Sequence, residues 1–396
     1  MTDRPLRIAV WHNLSSGGGK RALYYHVRGL VERGHHVEAW CPSSADQNYL
    51  PLSSLADEHV IPIDLSTPRP LRALTRAHLR TDIPRLMASV DRHCRVVADA
   101  IGDRFDVVLA GSCMILAVAP LARYVQPPSA LYLGEPNRRL YEATLPLPWL
   151  GTSRTVRAAT RKQARAELVS IAAYDRVLVN SRFTRENVLR SYGVDSYVCY
   201  LGVDGELFQP EMTAPRDYLV GVGAFIPEKN IELVLNALGQ LDPPRPPLVW
   251  IGDHAISDAY VDELGALARR LDVSFTPRRS VTDDELVNLV RGARAMVYSP
   301  RLEPFGFAPL EANACGVPVI AGAEGGLRES VIDDVNGLLV EPHVDAFAAA
   351  IDRLWRHPVE AAELGAAGRE HVVKNWSVND AVERLERHLI EVSDGV

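Results

Sequence analysis

The chain has 396 residues, 47% of them hydrophobic, and a formal net charge of −7. That length and apolar content suffice for two domains with cores of their own, or slightly more. Five cysteines (Cys41, Cys94, Cys113, Cys199, Cys315) are scattered, odd in number and without C-x-x-C spacing, which excludes a disulfide framework or a zinc site and predicts a reducing compartment. No apolar run approaches membrane-spanning length, and MTDRPLRIAV enters a strand with no signal peptide, so a cytoplasmic location is expected. The charge is uneven: residues 1–205 carry +7 and the remainder −14. A basic first half suits an anionic acceptor or the anionic inner face of a membrane, and equally suits an ordinary solvated surface.

In chain order, LRIAVWHN (6–13) is an apolar run bounded by turn residues and predicts the first central strand. SSGGGKR follows, then ALYYHVRGLVERG as an amphipathic helix ending at Gly34, then HVEAWCP as a second strand. This opening is Rossmann-like. It lacks G-x-G-x-x-G, so a dinucleotide-dependent dehydrogenase is a poor fit. Gly17, Gly18 and Gly19 allow close backbone approach to a ligand, and Lys20 and Arg21 begin the helix within reach of an anion. From residue 67 to 103, Arg69, Arg72, Arg76 and Arg80 share one helical face and Pro84 separates or kinks two helices. Such a face fits anionic lipid or a charged acceptor. Leu71, Leu74 and Leu79 make only a modest apolar side, which favours a solvated outer face. FDVVLAG (105–111) and the start of SALYLGEPNRRLYE (129–142) are buried strands, and 152–174 is a long basic helix. DRVLVNSRFTRENVLRSYG then reads as strand, turn and helix, capped by Ser181 or Thr184.

The second half opens with strand YLVGVG and a loop carrying Lys229 to the start of a helix. A cation there opposes that helix's dipole, so a bound anion explains it better than stability does. PLVWIGDH is a strand, Thr282 with Glu285 forms a capping box, and ARAMVY is the strand that enters the stretch 298–330, YSPRLEPFGFAPLEANACGVPVIAGAEGGLRES. LEANACG predicts a short helix stopping at Gly316, VPVIA the next strand, and Gly325-Gly326 a loop leading to Glu329. Glu303 and Glu311 bracket a Gly-containing turn and a helix N-terminus, where free N–H groups favour an anion. A carboxylate on each side of an anion cradle suits a ligand with phosphates in the middle and hydroxyls at both ends, as in a nucleotide-sugar.

E-x7-E with this filling, followed by AxACGxPVI and GGLxE, resembles the retaining glycosyltransferases of family GT4. The likeness extends over nearly the whole chain and is strongest from 217 to 345. It implies an α/β fold of GT-B architecture: two Rossmann-like domains, 1–205 on the acceptor side and 206–377 on the donor side, facing across a cleft, with a helix at 378–396 crossing back to the first. It implies that Glu303 faces the transferred sugar, that Glu311 binds the ribose hydroxyls, and that the backbone from Phe305 through Gly306, Phe307 and Ala308 to Leu310 holds sugar hydroxyls and diphosphate. Lys229 would grip the diphosphate, and Gly17, Gly18 and Gly19 would face the diphosphate and sugar from the other side. Two positions depart from the family pattern. Gly134 stands where relatives often carry His, leaving Glu135, Asn137 and Arg138 as neighbours, and Ala224 stands where they usually carry Arg. Glu135, Arg138 and Arg182 are the acceptor-side candidates, and Arg278, Arg279 or Arg301 would replace the missing charge. The implied activity is transfer of a hexose from a UDP- or GDP-activated donor to an unidentified hydroxyl acceptor. No metal or other cofactor is expected, since no D-x-D stands at a strand end, and no nucleic acid. Two rivals share the motifs: a sugar-nucleotide epimerase on the same fold, and a nucleotide-sugar-binding protein that has lost transfer.

Overall fold

The computed structural model describes residues 4–65, 83–142, 154–211 and 217–395. The basic stretch with Arg69, Arg72, Arg76 and Arg80 lies outside them. The chain divides into two compact units, one of residues 1–201 with 381–396 and the other of residues 202–380.

The first unit is built on a seven-stranded sheet: β1 (Arg7–Asn13), β2 (His36–Pro42), β3 (Asp57–Ile61), β4 (Val107–Cys113), β5 (Ser129–Leu133), β6 (Arg176–Val179) and β7 (Tyr197–Val198). Their order is β3-β2-β1-β4-β5-β6-β7, and neighbouring strands pair in parallel. The helices are α1 (Gly18–Glu32), α2 (Ile83–Ile101), α3 (Arg138–Tyr141), α4 (Arg154–Ile171) and α5 (Arg182–Tyr192). Pro84 sits in the first turn of α2, where its missing N–H removes no helical bond. Ser181 caps α5, its hydroxyl accepting from the Thr184 N–H, and Gly193 closes the helix in the left-handed region. Central strands β1 and β4 are buried over nearly their whole length, as a parallel sheet covered on both faces requires. One core joins Trp11, Trp40, Val97, Ile101, Leu131 and Val179.

The helix Val378–Ser393 returns to this unit. Val382 lies against Gly29, where a Cβ would come within 2.5 Å of its side chain. Glu386 pairs with Arg33 and with His35, and Glu391 pairs with Arg176.

The second unit repeats the plan with six parallel strands: β8 (Leu219–Val222), β9 (Leu248–Ile251), β10 (Phe275–Arg278), β11 (Ala295–Tyr298), β12 (Val319–Gly322) and β13 (Gly337–Val340). Their order is β10-β9-β8-β11-β12-β13. The helices that position its site are α6 (Ile231–Gly239), α7 (Asp258–Arg270), α8 (Asp283–Arg291) and α9 (Phe307–Ala314). The Thr282 side chain accepts from the Glu285 N–H to cap α8, and Gly316, at φ +70°, ends the turn after α9. In each sheet the strand order reverses once, between β1 and β4 and between β8 and β11. In open α/β sheets, ligands bind outside the carboxyl ends of strands at such a reversal.

Candidate active site

The residues around the second reversal converge. β8 ends at Val222, and Gly223 and Ala224 lead into a 3-10 turn, Pro227–Lys229, before α6 begins at Ile231. β11 ends at Tyr298 and runs through Ser299 and Arg301 to Glu303. The two segments are stitched together: the Arg301 N–H donates to the Glu228 carbonyl at 2.9 Å, and the Ser299 hydroxyl donates to the Asn230 carbonyl at 3.0 Å. Lys229 Nζ then donates to Glu303 Oε2 at 2.8 Å. The pair is mostly sheltered, with side chains 22% and 15% exposed. Lys229 Nζ also stands 5.7 Å from the centroid of the Tyr298 ring, a cation–π contact. Burial, with the Glu303 carboxylate beside it, raises the Tyr298 phenol well above its ordinary range and keeps it neutral.

This geometry is held at a cost. Asn230, which follows Lys229, and Leu302, which precedes Glu303, both take left-handed backbone conformations, at φ 52° and 50°. For a leucine that conformation is strained by about 1–2 kcal/mol, and strain of this kind concentrates at functional sites. Glu324 secures the bend by accepting from the Leu302 N–H at 3.2 Å, and its carboxylate lies 3.6 Å from Arg301. The glycine pair after it fixes the Glu303 backbone. The Gly326 N–H donates to the Glu303 carbonyl at 2.8 Å, and a Cβ on Gly325 would come within 2.3 Å of that same oxygen.

Helix α9 starts beside Glu303, at Gly306 in a left-handed conformation and with no side-chain cap, so its first N–H groups are held by no capping side chain. Phe305 is 4% exposed and packs edge-on against Phe307 and Trp376. It is a core residue that fixes the turn. Ala308 and Leu310 are buried on the same helix, and Glu311 is 6% exposed within it. The structure thus brings together Lys229, Glu303 and the start of α9, with Glu311 one turn further on. Sequence reasoning missed Tyr298, Leu302 and Glu324. Tyr298 was hidden inside an apolar run read only as a strand, and no sequence signal marks the others. Of the three arginines proposed for the missing charge, Arg301 lies at this site. Arg278 and Arg279 sit at the edge strand β10 and pair with Glu285 and Asp258.

In the first unit, Gly17 precedes α1 at φ 122° and Gly17, Gly18 and Gly19 are exposed at the carboxyl end of β1, next to the other strand-order reversal. Lys20 and Arg21, expected within reach of an anion, turn inward instead. Lys20 is fully buried beside His12, and Arg21 donates to the Tyr49 hydroxyl at 2.9 Å. Glu135 and Arg138 form an ion pair of 2.7 Å, and Arg182 is exposed at the first position of α5. Gly134 donates its N–H to the Ser112 hydroxyl and accepts from Thr184, so the loop after β5 is tied down without the histidine. The five cysteines are buried, and none is in a disulfide. Among the described residues no helix is long and apolar enough to cross a membrane.

Two family models divide the chain. Residues 16–207 match Glycosyltransferase Family 4 and residues 206–371 match Glycosyl transferases group 1. The chain is 26% identical to the human alpha-1,3/1,6-mannosyltransferase ALG2, over 98% of this chain and 96% of that one. It is 31% identical to a GDP-mannose-dependent alpha-(1-6)-phosphatidylinositol monomannoside mannosyltransferase of Mycolicibacterium smegmatis, over 51% of this chain and 58% of that one. Among solved structures, the sucrose-phosphate synthase of Thermosynechococcus elongatus superposes with a TM-score of 0.76 at 20% identity, over 98% of this chain and 100% of that one. That likeness shows the fold, which is GT-B. Half by half, the chain belongs to the GT4 glycosyltransferases, its first half to Glycosyltransferase Family 4 and its second to Glycosyl transferases group 1, and it is a glycosyltransferase.

Proposed function

We propose that the protein is a retaining hexosyltransferase that uses a nucleoside-diphosphate sugar and needs no metal, with GDP-mannose the first donor to test and UDP-sugars the second. The observation that carries this reading is the Lys229–Glu303 pair, 2.8 Å apart beside the uncapped start of α9. A donor diphosphate at that helix start meets free N–H groups, the positive end of the helix dipole and one ammonium. Lys229 exchanges its bond to Glu303 for one to phosphate, and Glu303 is released to accept from hydroxyls of the transferred sugar. Glu311 accepts from the ribose hydroxyls, and the backbone from Phe305 to Leu310 lines the path between. Gly17, Gly18 and Gly19 contribute backbone N–H groups to the diphosphate. Glu135, Arg138 and Arg182 belong to the acceptor side.

In the reaction the bond from the anomeric carbon to the β-phosphate oxygen breaks as the acceptor oxygen bonds to that carbon on the same face. The acceptor proton passes to the departing phosphate. Negative charge grows on the diphosphate, and donors already aimed there stabilise it without reorganisation. The mannosyl donor is suggested by the names of the human and mycolicibacterial relatives. An anionic acceptor or anionic membrane surface is supported by α4, whose Arg154, Arg157, Arg161 and Arg165 fall along one exposed side.

A thermal-shift panel of GDP-, UDP-, ADP- and dTDP-sugars on wild type and Glu311→Ala tests the assignment, since a ligand bound only by the folded state raises apparent stability. One nucleotide class should stabilise wild type and fail to stabilise the variant. Equal shifts in both proteins would remove Glu311 from the ribose site, and no shift with any nucleotide would overturn the donor reading.

A further inference from the structure

We propose that Lys20 is a positioning residue that locks the glycine turn Gly17–Gly19 to the sheet of the first unit through Glu58 and His12. The inference rests on the reading above that this turn presents N–H groups to the donor diphosphate. The turn has little to hold it by itself. A Cβ on Gly17 would meet no atom within 4 Å, and one on Gly19 would touch only Leu14, at 3.5 Å. Its placement must come from the residues that follow.

Lys20 is the third residue of α1, and its side chain is fully buried. A cation in the first turn of a helix opposes the dipole, and burying it without counter-charge costs far more. Both penalties are met at one point. Lys20 Nζ stands 3.4 Å from His12 Nε2 on β1 and 4.0 Å from Glu58 Oε1 on β3. Glu58, itself only 2% exposed, is fixed in turn: Oε1 lies 3.3 Å from His12 Nε2 and accepts from the Cys41 thiol at 3.6 Å, while Oε2 accepts from the Ser53 N–H at 3.0 Å. Arg21 ties the same turn of helix to Tyr49, whose N–H donates to Asp46. Two adjacent basic residues therefore anchor the helix start at two places, the sheet and the loop at 46–49, and leave the glycines facing out.

His12, Cys41 and Glu58 hold their ligand atoms within 4.8 Å of one another, a spacing that would suit a metal ion. The Lys20 ammonium already supplies positive charge there. Burial and the neighbouring Glu58 push the Cys41 thiol up to about 12, so beside Lys20 it stays a neutral hydrogen-bond donor to Glu58. The ammonium does the ion's structural work.

The test compares wild type with Lys20→Met and with the neutral pair Lys20→Met/Glu58→Gln, which leaves no buried charge without a counterpart. Three quantities are measured on the full chain: the Tm, hydrogen exchange of the Arg21 amide, whose N–H donates to the Gly17 carbonyl at 3.0 Å, and KM and kcat for GDP-mannose turnover with hydrolysis included. The neutral pair should keep its Tm within a few degrees while exchange of the Arg21 amide quickens about tenfold or more. KM should rise roughly tenfold with kcat held within about twofold, as loss of binding shared by ground and transition states requires. Unchanged exchange at the Arg21 amide in the neutral pair would overturn the lock. So would stoichiometric zinc binding by wild type that Lys20→Met strengthens without loosening the turn. Faster local exchange with an unaltered KM would keep the lock and instead remove the glycine turn from the donor site.

Discussion

Lys229 and Glu303 are separated by 74 residues and meet at 2.8 Å. Each was singled out in the sequence for a different reason, the lysine for its awkward place before a helix and the glutamate for its spacing from Glu311. Their pairing was not readable, because it depends on two strands being neighbours across the order reversal. It also changes the argument for Lys229, since the carboxylate it faces already offsets the unfavourable dipole. Exchanging Glu303 for Gln keeps the shape and removes the charge. Turnover should fall about 100-fold or more, as loss of a group aimed at the reacting sugar implies, and Lys229→Met should do the same. Tm should fall by no more than a few degrees, because solvent still reaches the charge left behind, the two side chains being 22% and 15% exposed. Near-normal turnover in either variant would take that residue out of the chemistry. Lys20 shows the opposite lesson at the same scale. A lysine after three glycines reads as an exposed phosphate ligand, yet it is fully buried, since its partners Glu58 and His12 come from strands that local sequence cannot place beside it.

At the scale of elements, the bend from β11 into α9 depends on Gly325. Its φ is +60°, and a Cβ would lie 2.3 Å from the Glu303 carbonyl oxygen and 2.9 Å from the Glu303 nitrogen. Gly325→Ala should cost roughly 2–4 kcal/mol, combining a left-handed alanine with a clash against backbone that has nowhere to move. Gly34→Ala is the matching control, since Gly34 shares the positive φ but faces open space, and it should cost only about 1 kcal/mol. Urea unfolding of the two variants decides this, and equal costs would show that the bend is not steric. Most elements could be read from local pattern. ARAMVY, VPVIA and HVEAWCP became strands because buried parallel strands are apolar runs, and the caps at Ser181 and Thr282 formed where side-chain oxygens precede a helix. β3 was passed over for the converse reason. Its residues DEHVI form an edge strand with no fully buried position, so no apolar run marks it. Even so, it brings in Glu58.

For the molecule as a whole, pH should act most strongly on the first unit. Burial lowers both His26 and His93 from their ordinary range to about 4, and His93 Nε2 accepts from the Trp11 indole at 3.2 Å. Between about pH 6.5 and 4 the unfolded chain binds protons at these positions that the folded chain refuses, so stability rises with pH through that window. It should be intact above about pH 6.5 and fall as the pH drops toward 4, by up to on the order of 3 kcal/mol for each histidine. Urea midpoints at pH 7.5 and 5 measure the drop, and His93→Gln should flatten it. A slope unaffected by that substitution would assign the loss to other groups.

The first unit is also discontinuous along the chain. Its sheet is complete by Val198, but the helix that covers Gly29 and engages Arg33, His35 and Arg176 comes from residues 378–393, after the whole of the second unit. During synthesis the ribosome releases all seven strands of the first sheet long before that helix exists. The second unit, though made later, has its own residues in hand first, since domains fold as units once their chain is available. The order of translation and the order of completion are therefore reversed. While the second unit is being made, the nascent first sheet carries an uncovered apolar seam around Gly29, the interval in which a chaperone would have something to hold.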